Sequence, residues 1–280
     1  MNRWRLFLAA AILTSASFAM TPASLGNAGN IGAFGSVASN GNLIAASPSL
    51  RFACAISADG RVKCWGSNTF GQLGLGDTTT RGDGANEMGD NLPAVNLGAG
   101  RTATAISIGT GFTCALLDNS SVKCWGLNDR GSLGLGDTTT RGDGANEMGD
   151  NLPAVNLGAG RTATAIAVGY NHGCAILDQG LVKCWGDNTF GQLGLGDTNW
   201  RGDGANEMGD NLPAVNLGVG RTAVAISAGA AHTCAVLDNG AVKCWGFNSS
   251  GQLGIGDTTT RGDGANEMGD NLPAVNLGAG

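Results

Sequence analysis

The chain has 280 residues, 42% of them apolar and 14% charged, with 49 glycines and a formal net charge of −6. This length allows a sizeable core and this apolar share excludes a disordered chain, while the acidic balance argues against nucleic-acid backbones and anionic lipid as partners. So much glycine without a collagen period points to tight turns joining short strands.

Residues 1–19 read MNRWRLFLAAAILTSASFA. Arg3 and Arg5 precede an apolar run from Leu6 to Leu13, and Ser17-Phe18-Ala19 offers a small-x-small cleavage site. This is the layout of a secretory signal peptide, with an apolar run too short to span a bilayer. Its removal leaves 14 basic against 22 acidic residues, a net charge of −8. No other segment is apolar enough for a membrane span. A stretch rich in Gly, Ala, Ser and Asn follows over 20–42, and residues 43–280 form the repeat domain.

That domain has a period of 60 residues, read from CWG at Cys64, Cys124, Cys184 and Cys244. The block RGDGANEMGDNLPAVNLG recurs unchanged from Arg81, Arg141, Arg201 and Arg261. Such a period is the mark of a repeat architecture. In the second unit, strands are predicted over Thr104–Ile108, Phe112–Leu117 and Val122–Trp125, with a fourth over Pro153–Leu157. No window carries useful helical periodicity. Short strands repeated in this way read as all-β propeller blades. One expectation is a four-bladed ring, closed by pairing Leu43–Ala46 with Leu272–Val275. The other is an incomplete arc of a larger ring, completed by a second copy or by further repeats.

The segment CAISADGRVKCWG, from Cys54 to Gly66, is a hairpin with Ala58-Asp59-Gly60 as its loop. Glycine suits the left-handed position of such a turn. Ser57 then faces Arg61, Ile56 faces Val62 and Cys54 faces Cys64. That last pair occupies a non-hydrogen-bonded site, where facing Cα atoms lie about 4.5 Å apart, inside the reach of a disulfide. Four local bridges follow: Cys54–Cys64, Cys114–Cys124, Cys174–Cys184 and Cys234–Cys244. The spacing lacks the close cysteine pairs of zinc hairpins, and a secretory leader favours disulfides. Each Trp of CWG points away from its Cys and is expected to bury against the neighbouring blade.

The stretches CWGSNTFGQLGLGD, CWGLNDRGSLGLGD, CWGDNTFGQLGLGD and CWGFNSSGQLGIGD, with HGCAILDQG and HTCAVLDNG upstream, resemble the regulator-of-chromosome-condensation repeat. The likeness covers about residues 43–280. It implies a β-propeller, usually of seven blades. Members of the family include a nuclear exchange factor for a small GTPase, ubiquitin-ligase propellers and secreted β-lactamase inhibitors. The present repeat is longer than the family's, through the inserted GDTTTRGDGANEMGD loop, and there are four motifs.

Catalytic chemistry finds little support. The two histidines, His172 and His232, stand where Phe52 and Phe112 stand in the other units. The glycine-rich GQLGLGD stretch lacks the Gly-Lys-Ser/Thr ending of a phosphate loop. No organic cofactor is implied. Asp77, Asp83, Glu87 and Asp90 gather hard oxygen ligands among glycines, which makes calcium the one candidate ion, although the spacing matches no EF-hand. Each insert also spells Arg-Gly-Asp, the tripeptide integrins read, and Arg81 has carboxylates nearby with which to pair.

Binding residues are sought where the repeat is broken, because loops on a rigid scaffold carry contacts. Trp200, Tyr170, Arg130 and Phe247 stand out, with Trp200 as the expected exposed anchor. The favoured reading is a non-enzymatic, secreted, periplasmic or cell-surface scaffold that binds a protein or an extracellular ligand. A regulatory propeller of the nucleotide-exchange type and a calcium-dependent adhesin are the alternatives.

Overall fold

The computed structural model describes residues 43–47 and 49–278. The leader and the 20–42 segment lie outside the described residues. Among the described residues, twelve strands form four antiparallel sheets of three. The first blade holds β1 (Leu43–Ala46), β2 (Phe52–Ile56) and β3 (Val62–Gly66). The second holds β4 (Ala103–Ile108), β5 (Phe112–Leu117) and β6 (Val122–Gly126). The third holds β7 (Ala163–Val168), β8 (His172–Leu177) and β9 (Val182–Gly186). The fourth holds β10 (Ala223–Ala228), β11 (His232–Leu237) and β12 (Val242–Gly246).

The blades pack in sequence, first on second, second on third and third on fourth, through strands such as β1 on β4, β4 on β7 and β7 on β10. The result is an arc that does not close. The expected closure by β1 is therefore corrected. β1 lies along β2, with Ala45 facing Cys54, and Val275 N–H donates to Val242 O of its own blade at 2.8 Å. The expected fourth strand is not one either. Val155 N–H makes a single bond to Val122 O, at 2.8 Å, and Pro153 has no N–H to extend a ladder.

The hairpins match the sequence reading. Ser57 N–H donates to Arg61 O at 2.9 Å, Gly60 takes φ +78°, and Cys54 faces Cys64. All four expected disulfides are present, with Cα separations of 4.0–4.1 Å. In the second hairpin Ser120 occupies the left-handed position at φ +64°.

The core is three slabs, each shared by two adjacent blades. Val95 and Leu97 of the first repeat, for example, pack with Ile106, Leu117 and Trp125 of the second. Trp125, Trp185 and Trp245 are fully buried. Their indole N–H groups donate to the backbone oxygens of Gln72, Ser132 and Gln192 in the preceding blade, at 3.1, 3.0 and 3.0 Å.

The inserted loops are the other half of each joint. They cross from their own blade to the preceding one, so closely that a Cβ on Gly71 would lie 2.3 Å from the Asp143 backbone nitrogen. Only glycine admits such an approach. Lys123 is buried there, donating to Leu97 O at 3.0 Å and Gly149 O at 2.7 Å. Lys183 and Lys243 repeat the arrangement.

Candidate functional site

In each blade the inner strand ends, the middle strand begins and the outer strand ends at one rim of the arc. Val168 faces Gly173 and His172 faces Gly186, so residues 169–171 and 187–191 emerge side by side. The repeats differ most at this rim. One position reads Ser67, Leu127, Asp187 and Phe247 in the four units, and another reads Phe70, Arg130, Phe190 and Ser250.

These two positions meet across the joints. The Arg130 guanidinium reaches Asp187 Oδ2 of the next blade at 2.7 Å, where Asp187 is only 9% exposed. Asp187 Oδ1 accepts from Thr189 N–H at 2.9 Å and from its hydroxyl at 2.6 Å. The Phe190 and Phe247 rings stack across the next joint, with centroids 4.6 Å apart and planes tilted by 48°. A charged pair and an aromatic pair thus occupy equivalent places. Aromatic and cation–π contacts of this kind fix side chains in preferred geometries.

Trp200 replaces a threonine of the other repeats and lies beside this line. Arg130 sits over its ring, 5.2 Å from the centroid. Trp200 is half-buried rather than freely exposed, a correction to the expected bare anchor, because the Arg130 guanidinium over its ring and the Thr189 hydroxyl, 3.4 Å from the indole N–H, hold it down. Its other side borders an open hollow lined by Asp203 and Glu207. Burial, and then the Glu207 charge beside it, push the Asp203 carboxyl above the usual range. Tyr170 is 38% exposed. Its backbone is pinned between blades, donating to Ala230 O at 3.1 Å and accepting from Thr110 N–H at 3.0 Å.

The structure therefore joins Arg130 to Trp200, places Phe247 one joint away, and leaves Tyr170 as a separate exposed residue on the rim. Sequence reasoning missed Asp187 and Phe190. The signal was a 57-residue offset: Arg130 with Asp187, and Phe190 with Phe247, pair charge with charge and ring with ring.

Two carboxylates of the first acidic insert, Asp77 and Glu87, bond within their own loop. Asp77 pairs with Arg81 at 2.6 Å and caps Thr79 N–H at 2.8 Å. Glu87 accepts from the N–H groups of Gly82, Asp83 and Gly84 at 2.8–3.1 Å, and the bonds from Gly84 and Gly82 hold its carboxyl below the usual range. Asp90 is exposed. Among the described residues no group of three or more His, Cys, Asp or Glu side chains could hold a metal ion. The carboxylates bend the loop instead. The Arg-Gly-Asp tripeptides starting at Arg141, Arg201 and Arg261 are likewise used in the joints, where Gly142, Gly202 and Gly262 are buried.

His172 is fully buried, with Nε2 3.0 Å from Thr233 Oγ1 of the next blade. The Thr233 hydroxyl donates to Gln192 O at 2.9 Å, so Nε2 carries the proton and donates to Thr233. Nδ1 has no partner. Burial above all, opposed by Asp187 and assisted by His232, pushes its pKa down to about 4.

Two profiles of the Regulator of chromosome condensation (RCC1) repeat match the chain, one at residues 44–72, 103–132, 163–192 and 223–252, the other at 59–116 and 179–236. The chain is 30% identical over 208 residues to the Ultraviolet-B receptor UVR8 of Arabidopsis thaliana, covering 72% of this chain and 41% of that protein. It is 31% identical over 206 residues to the E3 ubiquitin-protein ligase HERC2 of Homo sapiens, covering 73% and 4%. It thus spans less than half the length of these relatives. Among solved structures, Prp20p from Saccharomyces cerevisiae, a protein with binding properties toward Gsp1p and histones, superposes with a TM-score of 0.59 at 19% identity over 81% of this chain and 50% of that one. Human WBSCR16 gives 0.57 at 19% identity, over 78% and 50%. At that identity the likeness is one of fold. Among the described residues no helix is long and apolar enough to cross a membrane.

Proposed function

Because the chain belongs to the regulator of chromosome condensation (RCC1) repeat family, we propose that it is a non-catalytic propeller-type scaffold that binds a protein partner at the rim carrying Arg130, Asp187, Trp200 and Phe190. The observation that carries this reading is the convergence of repeat-breaking residues on one rim, where they span two blade joints. Tryptophan, arginine and aromatic side chains held on a rigid frame are the usual anchors of a protein interface. Residues 1–19 and the four hairpin disulfides support action outside the reducing cytosol, in the periplasm, at the cell surface or in the medium.

The test reverts the rim toward the other repeats. A variant with Trp200→Thr, Arg130→Ser and Phe190→Ser is compared with wild type for partner cross-linking in the native extracellular or envelope fraction. Loss of the cross-linked partner from a variant that stays folded, with one cooperative unfolding transition, supports the reading, and full retention sinks it. The compartment is tested separately by counting free thiols in protein taken unfolded from its native host. Eight free thiols would place the chain in the cytosol. A regulatory propeller of the exchange-factor type, favoured by the family, would then be tested by nucleotide release from a small GTPase.

A further inference from the structure

Across the four copies of the insert and the segment after it (76–98, 136–158, 196–218 and 256–278), the sequence changes at two adjacent positions and nowhere else. The Thr-Thr of the other three copies is Asn199-Trp200 in the third. Both new side chains fall in one place. They line an open hollow of about 750 Å³ together with Asp203, Asn206, Glu207 and Asn211 of the same loop.

Asn206 and Asn211 also line a neighbouring cleft of about 660 Å³, walled across the joint by Leu135, Pro153 and Asn156 of the preceding repeat. Hollow and cleft therefore run together past two shared amides, as one groove from the joint to Trp200. The same cleft recurs at the other two joints, at about 530 and 560 Å³, where Thr260 and Thr140 stand in place of the tryptophan.

The groove is pre-formed. Asp197 accepts from Asn199 N–H at 2.9 Å, and Arg201 donates to the oxygens of Asn199 and Trp200 at 2.8 and 3.0 Å and to the Asp197 carboxylate at 2.7 Å. On the cleft side, Gly209 N–H donates to Asn156 O at 2.9 Å and Ala159 N–H to Asp210 Oδ1 at 3.1 Å. A frame held in this way loses little freedom when a ligand enters. The amides of Asn199, Asn206 and Asn211, by contrast, are exposed and make no side-chain hydrogen bond among the described residues.

The charges around the groove select its ligand. Asp203, Glu207 and Asp210 repel an anion. A cation meets Arg201 in the hollow and Arg130 already over the Trp200 ring. An uncharged ligand rich in hydroxyls suits the lining, because each amide offers both donors and an acceptor and each carboxylate accepts. The apolar body of Trp200, with Leu135 and Pro153 further along, suits the C–H faces of sugar rings. We infer that the groove running from the joint of the second and third blades to Trp200 binds a neutral oligosaccharide, with Trp200 as its stacking platform and Asn206 and Asn211 as its hydrogen-bonding centre. This ligand is additional to the protein partner of the rim and does not depend on it, since Asn206 and Asn211 belong to the insert and not to the rim segments 169–171 and 187–191.

The experiment is a printed array of neutral gluco-, manno- and galacto-oligosaccharides beside sialylated and sulfated ones, followed by calorimetric titration with the neutral oligosaccharide that binds best. Wild type is expected to retain neutral oligosaccharides and to leave the anionic ones. Trp200→Thr restores the residue of the other three inserts and should weaken binding about tenfold, while Trp200→Phe keeps a ring and should recover most of the loss. Asn206→Gly keeps the left-handed backbone that Asn206 holds at φ +66° and should weaken binding about fivefold. A single cooperative unfolding transition checks that each variant is folded, and Asn206→Gly decides alone should Trp200→Thr lose it. Retention of no neutral oligosaccharide overturns the inference. So does binding that a folded Trp200→Thr or Asn206→Gly variant leaves unchanged. The array holds no protein, so this result and the partner cross-linking above fail independently.

Discussion

The indole N–H of Trp125 and the hydroxyl of Thr113 both donate to the backbone oxygen of Gln72 in the preceding blade, at 3.1 and 2.9 Å. The tryptophan of each CWG motif is thus a joint residue as well as a strand residue. Trp125→Ala should cost about 3–5 kcal/mol, the usual range for a large buried aromatic. Trp65→Ala, whose ring is half-buried among the described residues, should cost clearly less. Urea unfolding of the two variants checks the difference, and equal losses would refute the assignment of Trp125 to the joint.

His172 makes stability depend on pH in a predictable direction. Its pKa falls from 6.5 to about 4 on folding, because burial disfavours the cation. The neutral form is the folded one, so this contribution is complete above pH 6.5 and is lost as the pH falls toward 4. The loss amounts to about 3 kcal/mol at 1.36 kcal/mol per unit. His172→Phe, which installs the residue of the equivalent Phe112, should remove that part of the slope. Melting temperatures of both proteins between pH 7 and 4 give the measurement. Carboxyls raised by burial, such as Asp203, act in the opposite sense but are common to both chains and cancel in the comparison.

Arg130 and Asp187 are coupled across a joint. Because Arg130 is partly exposed, a double-mutant cycle with alanine at each site should give a coupling of about 1 kcal/mol, reduced by salt. Trp200 fluorescence should change in Arg130→Ala, since the guanidinium covers the ring. A spectrum identical to wild type would mean that the pair does not form in solution.

Lys123, Lys183 and Lys243 supply buried donors to two carbonyls each, and burial lowers their pKa values despite the Asp150, Asp210 and Asp270 charges nearby. Lys183→Met would leave the Leu157 oxygen without its donor and Gly209 O with the Leu212 N–H alone, a cost of about 1–3 kcal/mol. Lys63→Met, at a solvent-exposed bond to Gly89 O, should be nearly silent. Thermal unfolding of the two variants decides.

Two of the insert carboxylates, Asp77 and Glu87, are committed to Arg81 and to backbone N–H groups, while Asp83 and Asp90 are exposed. Calcium or a chelator should therefore leave the melting temperature unchanged, and calorimetry should register no binding heat. A clear upward shift with calcium would return Asp77, Asp83, Glu87 and Asp90 to the role of ligands.

What could be read from the residues alone was local or periodic. Cys54 and Cys64 are 10 residues apart around a turn whose glycine sets the register, so the disulfide follows from hairpin geometry. The same holds for the three strands of each blade and for the 60-residue period. The supposed fourth strand misled because its apolar residues belong to a joint rather than to a ladder. The site was half legible: Arg130, Trp200 and Phe247 are visible as breaks in the repeat, but their partners Asp187 and Phe190 lie 57 residues away. Contacts at that range depend on how one blade sits against the next, which no single repeat encodes. Four identical blocks illustrate the limit. The same CWG leaves Trp65 half in solvent and Trp125 sealed, because among the described residues a preceding blade provides the second wall for Trp125 and none does so for Trp65.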